Sequence, residues 1–269
     1  MNHLLTCTTE ELALMVSAIG HHNVAKGIAE SAIGEKSEKE WIAILEATSK
    51  QLILKQMWDE ERESKGENPL TKETTDFLTK YVTSKRIIRC SNAPQKVVLM
   101  LHHYEGDEWL SHIIDRDIIH EFSLISSEEI SDHMKAFYGI TYENYEKVEP
   151  FSLSDRSFDL LSNPTKIDKV RKKSKFTPSE VTSFNHFIED LKQFDWTLFN
   201  ISNFNIVTPE EEIYLENIIF FLPSSKGVWI SEYIEDPKKP VYIYLADQEQ
   251  WENTLKDIGA YASYQMQNS

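Results

Sequence analysis

Cysteine, glycine and long apolar runs are what this chain has least of. Two cysteines, Cys7 and Cys90, occur in 269 residues. Two thiols build no disulfide framework, and without a CxxC pair they offer no zinc spacing. Eight glycines leave little material for phosphate-cradling loops, and neither a Walker A loop nor GxGxxG is present. GxSxG and HExxH are absent as well. No apolar run approaches the ~20 residues that span a bilayer. The longest, Ile218 to Leu222, has the length of a strand. The opening MNHLLTCTTEELALM carries neither a basic n-region nor a long apolar h-region, so no signal peptide is expected. The expectation is a cytoplasmic protein with no membrane partner, no cofactor and no recognisable catalytic device.

Positive charge is also short. Lys and Arg number 28 against 44 Asp and Glu, for a net charge of −16. Such a field repels phosphate backbones and anionic membranes, so nucleic acid is not an expected partner. The one compact basic run, Lys166 to Lys175 (KIDKVRKKSK), reads as a solvated linker or helix face. What is present suits a folded chain: 41% of residues are hydrophobic and 27% charged, far from the composition of disorder. The length fits one large domain or two ordinary ones.

Helical signals come first. Thr8 and Thr9 before Glu10 and Glu11 open a helix bearing Leu12, Met15 and Val16. Ser37 to Glu40 is a capping box for a helix with Trp41, Ile44, Leu45, Thr48 and Leu52 at helical spacing. Asp59 to Pro69 contains no apolar residue and reads as an exposed loop. Thr71 starts a helix with Phe77, Leu78, Tyr81 and Val82 on one side. The period then shortens. Arg86–Cys90, Lys96–Tyr104, Trp109–Asp115 and Ile118–Ile125 read as strands joined by hairpins at Glu105–Glu108 and Asp115–Asp117. Ser126 begins a helix ending near Gly139.

The same order recurs. Ser154 starts a short helix and Thr177-Pro178 a long one, with Val181, Phe184, Ile188 and Leu191 on one face. Four strand-like runs follow, Trp196–Phe204, Ile213–Leu222, Gly227–Ile234 and Val241–Leu245, and Asp247 opens the last helix. Ser126, Glu129, Ile130, Met134 and Phe137 match Asp247, Gln250, Trp251, Leu255 and Ile258 at one constant offset. A duplicated unit is therefore expected. The fold class is α+β, in two similar halves of helices, antiparallel sheet and closing helix, related by a pseudo-two-fold axis. The halves are residues 1–140 and 152–269, with a junction at 141–151, and can equally form one continuous domain.

Candidate sites are few. If Glu105–Glu108 is a plain hairpin loop, Tyr104 pairs with Trp109 and Leu101 with His112. If Asp115–Asp117 is the next turn, His112 faces His120, with His103 diagonal to His112 on that side. His103, His112 and His120 on one face are either a metal or enzyme site or half-buried core histidines beside Leu99, Leu101, Leu110 and Phe122. Cys90 follows Arg86 and Arg89, cations that lower a thiol pKa, but no histidine is placed as its base and an inert thiol is the simpler reading. Each half has a loop beside a tryptophan: Glu105, Gly106, Asp107 and Glu108 before Trp109, and Ser224 and Ser225 before Trp229. Such residues either anchor a protein partner or are ordinary strand residues.

Several stretches carry a likeness: TTEELALMVSAIG; WIAILEATSKQLILKQMW running into DEERESKGENPL; TKETTDFLTKYV and RIIRC; then VVLMLHHYEGDEWLSHIID, IIHEFSLI and SSEEISDHMKAF. The chain resembles the EspG family of type VII (ESX) secretion chaperones. Its Lys- and Asn-rich composition departs from the Ala- and Arg-rich actinobacterial members and fits a low-GC Gram-positive relative. The resemblance implies a quasi-two-fold α+β body and a cytosolic, non-enzymatic chaperone. Such a chaperone holds the tip of a small helical secreted protein or heterodimer. Contacts in the family come from a loop of the central sheet and the C-terminal helices. Here these correspond to Glu105–Trp109 and the last helix. Two alternatives stand beside it. One is an immunity or antitoxin protein, since acidic chains neutralise basic toxins through electrostatic steering. The other is a metal-binding protein or enzyme using the histidine face. A monomer is the simpler expectation, because an internal repeat makes a dimer unnecessary; a dimer stays open.

Overall fold

The chain begins with a strand rather than a helix. In the computed structural model, which describes residues 2–142, 144–206 and 214–264 (side chains only to 260), β1 (Asn2–Thr8) precedes α1 (Thr9–Ala18). β1 runs antiparallel to a later strand, with Leu5 opposite Phe122 and Cys7 opposite His120. Leu5 and Cys7 are buried. Their two-residue spacing was the strand signal, overshadowed by the helix start that follows at once. Thr8 is both strand end and N-cap, forming a capping box with Glu11.

The remaining elements follow in order: α2 (His22–Ile33), α3 (Glu38–Leu54), α4 (Glu60–Ser64), α5 (Lys72–Val82), β2 (Arg86–Asn92), β3 (Val97–Glu105), β4 (Glu108–Asp115), β5 (Ile119–Ser126) and α6 (Ile130–Tyr138). Then come β6 (Phe151–Leu153), α7 (Asp155–Asp159), α8 (Ile167–Ser174), α9 (Pro178–Gln193), β7 (Phe199–Asn205), β8 (Tyr214–Ser224), β9 (Gly227–Tyr233), β10 (Val241–Ala246) and α10 (Gln248–Tyr264). The fold class is α+β, as expected. The caps at Ser37, Thr71, Ser154 and Thr177 sit where the sequence places them. Ile213, the expected first residue of β8, lies outside the described residues. Asp59–Pro69 is not a bare loop. Asp59 caps α4, its N–H donates to the Pro69 carbonyl at 2.9 Å, and Leu70 beyond it is buried.

Two compact units emerge. The first comprises Met1–Ile87, Lys96–Ser127 and Phe204–Tyr214. Its strands lie in the order β1-β5-β4-β3, antiparallel throughout. Leu12, Met15 and Val16 of α1, Leu52 of α3 and Phe77 and Leu78 of α5 pack with Leu110 and Phe122 in its core. Burying each such side chain contributes ~1.5–3 kcal/mol. The second unit comprises Ile88–Gln95, Glu128–Asn203 and Leu215–Ser269. Its strands lie in the order β2-β7-β8-β9-β10-β6. Phe184, Phe187 and Leu191 of α9 pack on Leu222, Trp229, Val241 and Ile243. β6 pairs with β10 through only three residues, too few to show a period in the sequence.

Candidate partner-binding site

The β3–β4 hairpin is tighter than its sequence suggests. Glu105 pairs with Glu108, leaving Gly106 and Asp107 as the turn, and Gly106 takes φ +55°. The register then shifts between His103 and Glu105, so that His103, not Tyr104, lies opposite Trp109. Tyr104 is the extra residue of a bulge, and the displacement turns every residue before it to the other face.

The tip is held by side chains on both flanks. Lys80 of α5 makes an ion pair with Glu105 and places its ammonium 4.7 Å from the centre of the Tyr104 ring. This pair holds the Glu105 carboxyl below its ordinary range. The Ser127 hydroxyl bonds the Asp107 carboxylate, and the Ser127 N–H donates to the Asp107 carbonyl at 2.9 Å. His103 Nε2 donates to the Gly106 carbonyl at 3.1 Å. Glu105, Gly106, Asp107 and Glu108 are exposed. Trp109 is 0% exposed and packs edge-on to His103 at 5.6 Å. It lies inside the unit, not on the surface where a partner anchor would sit.

The β8–β9 hairpin in the second unit has Ser225 and Lys226 as its turn, with Ser224 opposite Gly227. Gly227 is required there: at φ +154° a Cβ would meet the Ala246 carbonyl oxygen at 2.6 Å. Lys226 forms an ion pair with Glu146, and the Glu146 N–H donates to the Lys226 carbonyl at 3.4 Å. A cleft of about 730 Å³ opens between this turn and Thr141, Tyr142, Asn144 and Tyr145. A smaller cleft of about 200 Å³ joins Ser224 and Ser225 to His186, Glu189 and Asp190 of α9. Trp229 is again internal, 1% exposed, its indole N–H donating to Asp190 at 2.8 Å.

The histidine face is real, but its membership differs from the sequence expectation. The bulge sends His103 away and brings His102 in its place. His102 and His112 stack at 5.8 Å and His112 and His120 at 5.0 Å. The expected partners of His112 also change: it lies opposite Met100 and Phe122, not Leu101 and His120. A slip of two residues keeps His120 on the same side. His112 Nε2 lies 2.8 Å from His120 Nδ1, and His120 Nε2 lies 2.9 Å from Thr9 Oγ1. Burial pushes His102 down to about 3 and His120 to about 4, and holds His112 well below the ordinary imidazole value. These are neutral core rings, His102 and His112 packed edge-on to Tyr81 and His120 against His112. Among the described residues no group of three or more His, Cys, Asp or Glu could hold a metal ion. Cys7 and Cys90 are free and buried, and burial pushes both thiols up to about 12. Cys90 therefore lacks the thiolate character a nucleophile needs.

The family model of the uncharacterised protein YfjC matches residues 5–255. The chain belongs to the YfjC family. None of the curated proteins matches it. Among solved structures it is similar to the type VII secretion system chaperone EspG5 of Mycobacterium tuberculosis, solved in complex with a PE25–PPE41 dimer. The TM-score is 0.57 and the identity 6%, over 94% of this chain and 94% of that one. At that identity the likeness is one of fold. No described helix of this YfjC-family chain is long and apolar enough to cross a membrane.

Proposed function

We propose that this chain is a cytosolic, non-enzymatic chaperone or adaptor that binds a small helical protein or heterodimer destined for type VII secretion. The observation that carries the reading is the likeness of fold to EspG5 over 94% of both chains. A fold shared across nearly the whole length supports a shared way of using it, though function itself resides in sites. The repeated order of helices, sheet and closing helix in residues 1–140 and 152–269 supports descent of the two halves from one unit. The client contacts fall to the hairpin tips, the exposed Glu105 to Glu108 and Ser225 with the half-buried Ser224. Trp109 and Trp229 act as buried supports that fix those tips.

The test is an untagged purification from the source cytosol, with size-exclusion chromatography and mass spectrometry of what co-elutes. A stoichiometric small helical protein is expected. With that client in hand, the double substitution Glu105→Lys/Asp107→Lys and the single change Ser225→Arg should weaken capture and leave the fold intact. A chain that always elutes alone would sink the chaperone reading. Undiminished capture by all variants would move the site elsewhere.

A further inference from the structure

The basic run Lys166–Lys175 is a surface in its own right. Most of it forms α8 in the second unit, held on one side by Ile167, Val170 and Ser174, all buried. Lys166, Lys169, Lys172, Lys173 and Lys175 are exposed. Among the described residues the only ion pair on this helix joins Arg171 to Asp168 at 2.8 Å. The second Arg171 nitrogen donates to Asn185 of α9 at 2.8 Å. One further cation, Lys239, joins Arg171 at the same place. Arg171 lies over the Phe184 ring at 5.7 Å, and Lys239, from the β9–β10 connection, lies over Phe176 at 5.6 Å. Those two rings pack at 4.9 Å. Carboxylates border the patch as well: Asp155 and Asp159 of α7, which packs against α8, and Asp236, which accepts the backbone N–H groups of Lys238 and Lys239.

The fold does not explain this charge. Cations in the last turn of a helix interact well with its dipole, which accounts for Lys172 and Lys173. Lys166 is at the N-cap, where the dipole disfavours it, and Lys169 crowds Lys172 and Lys173 at i+3 and i+4, which costs a few tenths of a kcal/mol per pair. A chain of net charge −16 thus maintains a rigid cationic face against local cost.

We propose that the exposed face of α8, with Lys239, docks a short acidic segment of a protein partner. Size selects that occupant. An eight-residue helix is ~12 Å long, close to the ~8–10 Å Debye length of physiological salt. A short acidic segment fits within the patch and senses only its local field. A nucleic acid or membrane leaflet extends beyond it and meets the repulsion of the acidic remainder. This surface involves neither hairpin tip, and its test is independent of the chaperone reading.

The experiment uses the full chain and a fluorescent Glu/Asp-rich peptide at physiological salt, with its Gln/Asn counterpart as control. The acidic peptide should bind and the neutral one should not. The triple change Lys169→Gln/Lys172→Gln/Lys173→Gln should weaken binding about tenfold, the effect of removing three exposed ion pairs. Lys39→Gln/Lys50→Gln on α3 should leave it unchanged, and circular dichroism should show all chains folded. Equal binding by the triple variant, or none by the parent, overturns the proposal. So does capture by phosphatidylserine vesicles or single-stranded RNA that the triple variant loses, since α8 would then be a lipid or RNA surface.

Discussion

His112 and His120 share one proton between Nε2 and Nδ1, 2.8 Å apart, and the next bond along decides which ring holds it. The Thr9 hydroxyl donates to the Asp117 carbonyl at 2.7 Å. Thr9 Oγ1 must then accept from His120 Nε2. A neutral His120 has its lone pair on Nδ1, so His112 donates from Nε2. His112 Nδ1 is left buried without a partner, as are both nitrogens of His102. The backbone carbonyls of Asp117 and Ile118, which take the Thr9 proton, thus set the tautomers of two rings.

These rings must charge when the first unit unfolds in acid. Their folded pKa values lie below the unfolded value near 6.5, at about 3 for His102 and about 4 for His120. The unfolded chain therefore binds more protons between those values. Their contribution to stability is complete above pH ~6.5 and is lost as the pH falls through about 4 for His120 and about 3 for His102. His102 alone should remove ~2 kcal/mol at pH 5, at ~1.4 kcal/mol per pKa unit. Urea unfolding of His102→Leu should show a shallower loss from pH 7 to pH 5 than the parent. Identical pH profiles would refute the assignment.

The two tryptophans separate packing from polar bonding. Trp229→Phe removes the indole donor to Asp190 and should cost ~1.5–3 kcal/mol for a hydrogen bond to a charged group, beyond the lost volume. Trp109 Nε1 is buried with no partner, so Trp109→Phe should cost only its packing. Denaturant midpoints at a constant m-value make the comparison. Equal losses would show that the Asp190 bond contributes nothing net.

The glycines of the two turns should respond differently. Gly106 has a positive φ but open space around its Cβ position, whereas Gly227 faces a carbonyl at 2.6 Å. Gly106→Ala should cost ~1 kcal/mol for the backbone conformation alone. Gly227→Ala must also push β9 from β10 and should cost ~2–4 kcal/mol. Thermal melts of both variants test the order, and a larger loss at Gly106 would contradict it.

Much of the secondary structure was legible because its signals are local. The caps at Ser37, Thr71, Ser154 and Thr177 and the alternation in β3 to β5 are written in neighbouring residues. The site was less legible, for a register reason. A single extra residue, Tyr104, decides whether His102 or His103 joins His112, and no turn residue or glycine marks the bulge. β1 was missed because two apolar residues and a shared cap look like the start of α1. The tryptophans, which the sequence left as either anchors or ordinary strand residues, stand beside exposed turns, and the pleat turns them inward.

Both native thiols are shut away and nearly fully protonated at neutral pH. Maleimide reagents should therefore leave the parent chain unmodified while it stays folded. A single cysteine introduced at Asp107 or Ser225 would then be the sole point of attachment for a fluorophore or spin label. Each hairpin tip could carry its own reporter without first stripping the chain of cysteine.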